Sequence, residues 1–264
     1  MRPERIAVVM PAYNEADGID GFIREIHGHL VRECDHLDIV VADDRSTDDT
    51  ARVVAGLQLE SVSVLTQPAN RGHGPTALAA YRAGLATGAE VIVHVDGDGQ
   101  FAGADIARVA RALVQTGAAA VHGVRQGRND PWYRRMISGS LRVIVRPFAG
   151  RAIPDINTPL RAYRRPVASR LIQGVGTDAQ VPHVHFSLIE ARAGLDVRYV
   201  RVQSLPRRGA TSTGTMWGTG ALLTLLPPQR LRSFVRLAFM ELWQISLRPS
   251  AKSRDLAREL RSIS

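Results

Sequence analysis

The feature that most constrains the fold is a regular alternation, over the first 125 residues, of short β-branched runs with longer helical patterns. The runs predicted as strands are Ile6–Met10, Ile39–Ala42, Val62–Leu65, Val91–Val95 and Ala119–Gly123, with a later run at Val197–Val202. The helices predicted between the early runs are 18–32, 47–57, 75–87 and 104–116. Strands joined by helical crossovers pair in parallel. The sequence therefore predicts an α/β fold with a mostly parallel central sheet flanked by helices.

Polar residues directly follow three of these runs. They are residues 11–15 after the first run, 43–50 after the second and 96–100 after the fourth. Because ligands of open parallel sheets bind beyond the carboxyl ends of the strands, we expect these segments to converge on one rim. Tyr13, Glu15 and Asp44 are the polar groups that a pocket for a base and a ribose requires.

Two carboxylates, Asp96 and Asp98, flank Gly97 in a tight turn after the fourth run. Hard oxygen ligands suit Mg²⁺ or Mn²⁺, and such a cation stabilises the charge that develops on a diphosphate leaving group. A simple Asp-Gly turn with a helix cap explains the same residues without any chemistry. The acidic residues at the neighbouring strand ends favour the metal site.

Possible anion contacts come from a glycine-containing loop and from arginines. Residues 70–74, which include Asn70 and His73, lie between a strand and a helix, where a helix N-terminus can face an anion. His73 is interpreted as a turn residue, and His94 as a packed residue of its strand. Guanidinium groups pair with phosphates in a forked geometry, and the candidates for this role are Arg125, Arg135 and Arg207.

The formal charge of +9, from 34 basic and 25 acidic residues, favours an anionic partner. That partner is a nucleic acid, an anionic membrane surface or a phosphate-bearing substrate. Aromatic residues make up only 5% of the chain, and the acidic rim would repel a phosphate backbone, so we expect no nucleic acid. The single cysteine, Cys34, excludes an intramolecular disulfide and fits a cytoplasmic location. The N-terminal residues do not resemble a secretory signal.

The C-terminal part differs from the rest in composition. Residues 216–250 combine apolar faces with Arg230, Arg232 and Arg236 and include an amphipathic helix over Arg230–Leu247. This composition suits peripheral contact with an anionic membrane on its cytoplasmic face, and it suits packing on the core equally well. No apolar run approaches the roughly 20 residues of a membrane-spanning helix. We expect a catalytic domain over 1–215, this helical segment, and a flexible tail over 251–264.

The segments 11–15, 43–50, 70–74 and 96–101, in this order and spacing, resemble the family 2 glycosyltransferases. The resemblance runs from about residue 5 to 215 and is strongest to the enzymes that act on polyprenyl phosphates, such as the dolichyl-phosphate mannosyltransferases. It implies a GT-A fold, a GDP- or UDP-sugar donor, a divalent metal, and an inverting single displacement onto a polyprenyl-phosphate acceptor.

The resemblance also implies roles for particular residues. Asp98 and Gln100 are the expected metal ligands, and Asp96 is expected near the ribose or diphosphate. Asp44 is expected at the nucleobase. The expected donor-binding residues together are Pro11, Tyr13, Glu15, Asp44, Asn70 and Asp96. The arginines expected to grip the donor diphosphate and the acceptor phosphate are Arg125, Arg135 and Arg207, with Arg208 as an alternative to Arg207.

Two departures from the family pattern leave the acceptor open. Pro159 stands where many relatives have glycine, and a histidine expected in the strand before Arg207 is absent. A lipid phosphate is already anionic and requires positioning rather than a strong base. The alternative is a soluble glycosyltransferase that acts on a hydroxyl of a small molecule or glycan, with Asp178 or Asp155 as the base. A catalytically silent homologue is disfavoured by the presence of Asp96, Asp98 and Gln100.

Overall fold

A computed structural model describes residues 2–126, 149–150, 153–209, 229–247 and 251–262. Its strands form one seven-stranded sheet in the order β3-β2-β1-β4-β6-β5-β7. Their bounds are β1 Arg5–Ala12, β2 His36–Asp43, β3 Val62–Thr66, β4 Val91–His94, β5 Ala120–Gln126, β6 Arg161–Arg164 and β7 Val197–Gln203. The strands β1 to β4 pair in parallel, as do β5 and β7, whereas β6 is antiparallel to both of its neighbours.

Helices cover both faces of this sheet. They are α1 Ala16–Leu30, α2 Thr50–Ala55, α3 His73–Ala86, α4 Gly103–Thr116, α5 Arg165–Val175, α6 Pro182–Ala193, α7 Gln229–Leu242 and α8 Ala251–Arg261, with a π-helical turn over Trp243–Leu247 after α7. In α1, for example, Ile19, Phe22 and Ile26 recur at helical spacing and are all fully buried. Such an apolar stripe holds a helix on a core.

Two apolar cores lie on opposite faces of the sheet. Val8 of β1 packs with α1, α2 and α4 in one core, and Val9 packs with α3, α5 and α6 in the other. Successive strand residues point to opposite faces, so a strand buried on both faces reads as a continuous apolar run. This explains why β1, β2 and β4 could be identified from the sequence, and the predicted mostly parallel α/β fold is confirmed.

The strand β6 is not predicted by the sequence pattern. Its four residues, RAYR, contain two arginines, and they carry no apolar run or alternation that would predict a strand. Arg161 is nevertheless fully buried in the strand between β4 and β5. The strand exists because tertiary partners satisfy that guanidinium, and a local pattern cannot show this.

The predicted flexible tail is wrong over residues 251–261, which form α8. Leu260 is fully buried, and Leu256 packs so closely on α5 that a Cβ on Gly174 would lie 2.2 Å from it. Arg261 donates to the carbonyl oxygen of Ala193 at 3.1 Å. An apolar stripe among many charges was mistaken for a disordered sequence. Arg135, and residues 216–228 and 248–250 of the segment 216–250 predicted as interfacial, lie outside the described residues.

Candidate active site

The carboxyl ends of β1, β2 and β4 meet at one edge of the sheet. The backbone N–H of Asp44, just after β2, donates to Ala12 at 2.9 Å, and that of Gly97 donates to Pro11 at 3.1 Å. A Cβ on Gly97 would lie 2.9 Å from the carbonyl oxygen of Pro11, so glycine allows this close approach of two strand ends. The three polar segments identified from the sequence therefore share one rim.

Asp96 and Asp98 lie together at this rim. Burial, and secondly the charge of Asp96, raise the pKa of Asp98 to about 6. Oδ1 of Asp98 accepts the backbone N–H of Gln100 at 3.1 Å. Oδ1 of Asp96 is buried and accepts no hydrogen bond from the described residues, with Nε2 of His73 3.5 Å away. Neighbouring carboxylates short of donors are an arrangement that a cation relieves.

These residues would supply part of the coordination shell of a divalent cation. Within the described ranges, no group of three or more His, Cys, Asp or Glu side chains is arranged to hold a metal. Mg²⁺ is commonly held by one or two carboxylates together with waters and substrate phosphates. Asp98, Gln100 and Asp96 suit that mode of binding, in which the substrate supplies ligands.

Glu15 and Arg207 form a forked ion pair beside the two aspartates. The nitrogens Nη2 and Nε of Arg207 lie 2.7 and 3.1 Å from the two carboxylate oxygens of Glu15. The pKa of Glu15 is raised to about 7, because burial and the charges of Asp98 and Asp96 raise it by more than the pair with Arg207 lowers it. Arg207 therefore places a cation among three carboxylates at the rim.

The neighbouring Arg208 points elsewhere. It forms an ion pair with Glu25 of α1, donates to the carbonyl oxygen of Gly99 at 3.3 Å, and lies 5.1 Å from the ring centroid of Phe22. Its backbone N–H donates to the backbone carbonyl oxygen of Asp98 at 2.9 Å. Of the two arginines considered for phosphate binding, Arg207 is the one whose side chain faces the rim.

Asp44 holds the loop that precedes α3. Its two carboxylate oxygens accept the backbone N–H groups of Arg71 at 2.8 Å and Gly72 at 2.9 Å. Gly72 has a φ of 86°, a conformation that favours glycine. We call residues 70–74 the donor loop. Asn70 in this loop is exposed, whereas Pro11 is buried and Tyr13 is half-buried at the end of β1. The nucleobase contacts expected of these residues remain predictions.

The two histidines near the rim have different environments. The interpretation of His94 as a packed residue is confirmed, since its ring is buried and stacks on Tyr81 with centroids 4.8 Å apart. Burial lowers the pKa of His94 to about 4. His73 begins α3 and lies beside Asp96, although the sequence analysis gave it no role. Its position within the donor loop, at the start of α3, is the signal that could have identified it.

Both alternative base candidates pair with arginines. Nε and Nη2 of Arg125 lie 2.8 and 3.1 Å from the carboxylate oxygens of Asp155. The Asp178 side chain is 71% exposed and pairs with Arg71, and a hydrogen bond from Thr177 lowers the pKa of Asp178. A carboxylate beside a guanidinium is a weakened base. Arg125 is at the end of β5, while Asp178 is beside the donor loop.

Sequence reasoning missed the buried group that holds the loop with Asp155. Arg161 donates to the carbonyl oxygens of Thr158 at 2.8 Å and Ile156 at 2.9 Å. It also donates to the hydroxyl of Tyr163 at 3.1 Å, which in turn donates to Glu190 at 2.7 Å. We call Arg161, Tyr163, Glu190 and His122 the buried network. Arg161 and Tyr163 are neighbours in sequence, but Glu190 and His122 are distant from them, so no local motif reveals the network.

The fold is an α/β fold, and its site lies at the carboxyl ends of parallel strands. Carboxylates and an arginine at that place suit an anionic ligand that binds together with a metal ion. The chain belongs to glycosyl transferase family 2, whose family model matches residues 7–172. The matched region includes Glu15, Asp96 and Asp98, the donor loop and the strands from Ala7 of β1 to β6, and it excludes Arg207.

Two curated relatives resemble the chain over about 180 residues. Polyprenol monophosphomannose synthase of Mycolicibacterium smegmatis is 32% identical over 65% of this chain and 66% of its own length. Undecaprenyl-phosphate 4-deoxy-4-formamido-L-arabinose transferase of Sodalis glossinidius is 30% identical over 65% of this chain and 52% of its own length. The chain thus spans about two thirds of one relative and about half of the other.

Solved structures support the fold. Glucosyl-3-phosphoglycerate synthase of Mycobacterium tuberculosis, in complex with Mn²⁺ and UDP-glucose, superposes with a TM-score of 0.64 at 20% identity. The match covers 94% of this chain and 81% of that chain. A structure of the same synthase with Mn²⁺, UDP-glucose and glycerol 3-phosphate gives the same TM-score. The fold is of the GT-A type, as the sequence resemblance predicted.

Proposed function

We propose that this chain transfers a sugar from a nucleotide-sugar donor to a polyprenyl-phosphate acceptor. The observation that carries the proposal is the cluster of Asp96, Asp98, Glu15 and Arg207 at the carboxyl ends of the parallel strands. Both curated relatives are named for products or substrates of polyprenyl-phosphate chemistry. GDP- and UDP-sugars are both candidate donors, and the family resemblance favours inversion at the anomeric carbon.

Donor binding follows from the charges of the rim. Pro11, Tyr13 and Asp44 would contact the nucleoside, and the donor loop with Asn70, at the positive end of α3, would face the donor phosphates. Asp98 and Gln100 would hold Mg²⁺ or Mn²⁺, with Asp96 beside them. Such a cation stabilises negative charge on a departing diphosphate. Arg207 adds a positive charge at the same place, which its salt bridge with Glu15 orients.

The acceptor phosphate requires positioning rather than deprotonation, since its oxygen is already anionic near neutral pH. In an inverting displacement this oxygen bonds to the anomeric carbon. The bond between that carbon and the diphosphate breaks at the same time, and the nucleoside diphosphate leaves with its electron pair. Arg125 is the described arginine assigned to the acceptor phosphate, and Asp155 fixes its guanidinium from one side. Arg135 is assigned to the same step from the sequence.

Membrane contact is a further part of the proposal. On α7 and the following turn, Leu237, Phe239, Met240 and Trp243 are 42–55% exposed, and Arg236 is exposed among them. An apolar helix surface with arginine suits the interface of an anionic bilayer, here at the cytoplasmic face. Within the described ranges, no helix has the length and apolarity to span a membrane. Sedimentation with phosphatidylglycerol vesicles, compared with a Trp243→Gln variant, tests this contact.

The alternative acceptor is a hydroxyl of a small molecule or glycan, which would require a carboxylate base. The pairing of Asp155 with Arg125 and of Asp178 with Arg71 disfavours this alternative, because each guanidinium stabilises the unprotonated and less basic carboxylate.

The test is a transfer assay with purified protein, Mn²⁺, a panel of GDP- and UDP-sugars, and a short polyprenyl phosphate added or omitted. We expect nucleoside diphosphate release and lipid-linked sugar with one donor. Asp98→Ala should lower the rate by about a hundredfold or more, since it removes a group that stabilises the leaving diphosphate. Asp49→Asn is the matched control, because Asp49 is exposed in a surface pair with Arg52.

The outcomes separate the two acceptors. Release that does not depend on lipid, with sugar found on a soluble hydroxyl, would favour the alternative. Absence of nucleotide-sugar binding across the panel would refute the assignment altogether.

A further inference from the structure

Helix α7 is linked to the donor loop by a series of contacts, although it is remote from the loop in sequence. We propose that Glu241 of α7 is a positioning residue for donor binding, which acts on residues 70–74 through the intervening segment 178–181. The inference rests on the proposed function, since it assigns the donor nucleotide to this loop.

The first link joins α7 to the start of α6. The carboxylate oxygens of Glu241 accept the backbone N–H groups of Gln180 at 2.7 Å and Val181 at 3.2 Å. These groups lie at the N-terminus of α6, where backbone donors have no partner within the helix. A carboxylate there makes charge-assisted hydrogen bonds and interacts favourably with the helix dipole. Glu241 therefore determines where the segment 178–181 lies.

A buried pair of side chains fixes Glu241 itself. Nε2 of His185 lies 2.9 Å from Oε1 of Glu241, and Nδ1 of His185 lies 2.6 Å from the hydroxyl of Ser246. His185 and Ser246 are 0% and 2% exposed, so this Ser-His-Glu arrangement has no access to a substrate and holds α7 in place. Ser246 belongs to the π-helical turn, a feature found often at functional sites.

The second link joins the segment 178–181 to the donor loop. A Cβ on Gly74 would lie 2.3 Å from the carbonyl oxygen of Ala179 and 2.5 Å from that of Gln180. The two backbones therefore touch, with no room for a side chain between them. Asp178 and Arg71 add an ion pair across the same contact. A displacement of the segment moves the loop with it.

The third link reaches the acidic rim. The N–H groups of Arg71 and Gly72 bind Asp44, and His73 lies beside Asp96. A shift of the donor loop would therefore disturb both the expected nucleobase contact and a carboxylate of the metal site. Leu242 of α7 also packs with Ile153 and Ile156 on either side of Asp155, the partner of Arg125. The Glu241 carboxylate itself, among the described residues, binds only Gln180, Val181 and His185, so the effect of changing it should fall on the donor.

The test is the kinetics of Glu241→Gln in the full chain, with the nucleotide sugar and the polyprenyl phosphate varied separately. We expect the donor KM to rise roughly tenfold, the size of one lost charge-assisted hydrogen bond, and the acceptor KM to change little. Calorimetric binding of GDP and UDP should weaken by a similar factor. Glu259→Gln is the matched control, because the Glu259 side chain is half exposed and forms a surface pair with Arg170.

Gly74→Ala interrupts the second link without altering α7. It should raise the donor KM in the same direction, and the double variant with Glu241→Gln should show less than the sum of the two effects. Gly28→Ala is its control, since a Cβ on Gly28 meets no atom within 4 Å. If Glu241→Gln fails to fold, Ser246→Ala removes only the outer partner of His185 and should shift the donor KM by a smaller factor.

The failure of this inference can be told apart from failure of the proposed function. An active wild type whose Glu241→Gln variant loses thermal stability but keeps its donor KM within twofold would overturn the inference. Additive effects in the double variant would overturn it as well. A wild type that binds no nucleotide and transfers no sugar would refute the proposed function, and the inference with it.

Discussion

Buried acidic residues behave in opposite ways in two regions of this molecule. At the rim, burial raises the pKa of Glu15 to about 7 and that of Asp98 to about 6. In the buried network, Glu190 is desolvated too, but His122, Arg161 and Tyr163 together lower its pKa to about 2. The network satisfies its own charges, whereas the rim carries more negative charge than its described partners neutralise.

This difference separates a structural site from a binding site. A buried polar network whose members are all paired makes one arrangement of the chain rigid. A cluster with perturbed carboxylates at a strand edge stores an unfavourable interaction that a bound cation or a cationic group relieves. The network orders the loop before β6, whereas the charges of the rim are suited to a cation. Variants of the two regions should therefore affect different properties.

The largest effect is expected from Arg161→Met in the buried network. Removing one member of a buried ion pair leaves the other charge without its partner, which costs about 3–5 kcal/mol of unfolding free energy. Urea denaturation measures this loss. Arg198→Met is the control, because its pair with Asp196 is exposed and should contribute less than about 1 kcal/mol. Equal losses of stability in the two variants would show that the buried network contributes no more to stability than a surface pair.

The pH dependence of stability should have opposite signs in the two regions. Glu15 has a folded-state pKa raised from 4.5 to about 7, so its favourable contribution is complete below about pH 4.5 and is lost as the pH rises towards 7. Glu190 has its pKa lowered from 4.5 to about 2, so its contribution is complete above about pH 4.5 and is lost as the pH falls. Each contribution is on the order of 3 kcal/mol.

Urea unfolding of Glu15→Gln and Glu190→Gln between about pH 3.5 and pH 7.5 measures these contributions. Relative to the wild type, Glu15→Gln should gain stability as the pH rises towards neutrality. Glu190→Gln should be most destabilised at neutral pH and approach the wild type in acid. Two difference curves with the same slope would contradict the assignment.

The same contrast explains what the sequence could predict. Asp96 and Asp98 follow a continuous apolar strand, so local pattern and topology together place them at the rim. Arg161 lies in a short strand with no apolar period, and its carboxylate partner Glu190 is on a helix that follows later in the chain. Glu241 likewise meets His185 only through tertiary packing. The spacing of a motif predicts the position of side chains that the local backbone fixes. It does not predict pairs of side chains that meet across the core.

A smaller effect is expected when Arg207 and Arg208 are each replaced by lysine. Arg207→Lys loses the planar fork at the rim and should lower kcat/KM for the donor about tenfold. Arg208→Lys should keep activity within about twofold, since Arg208 packs on Glu25 and Phe22, and should lower stability instead. Steady-state kinetics and urea unfolding of both variants check this. The reverse result would assign the phosphate contact to Arg208.

The smallest effect is expected from Asp178→Asn. Asp178 is exposed and paired with Arg71, and surface pairs of this kind contribute about 0–1 kcal/mol, which corresponds to at most about a fivefold change. Loss of a general base would instead lower the rate by about 10²–10⁴. Rates measured with a polyprenyl phosphate and with hydroxyl acceptors distinguish these cases.

Any loss in Asp178→Asn should appear in the donor KM, because Arg71 belongs to the donor loop and its N–H binds Asp44. A hundredfold loss in kcat with an unchanged donor KM would make Asp178 a base and favour a hydroxyl acceptor. In that case the exposed edge of the molecule, rather than the buried rim, would carry the chemistry of the acceptor. A small loss of activity that appears only in the donor KM would support a phosphate acceptor, which reacts without a base.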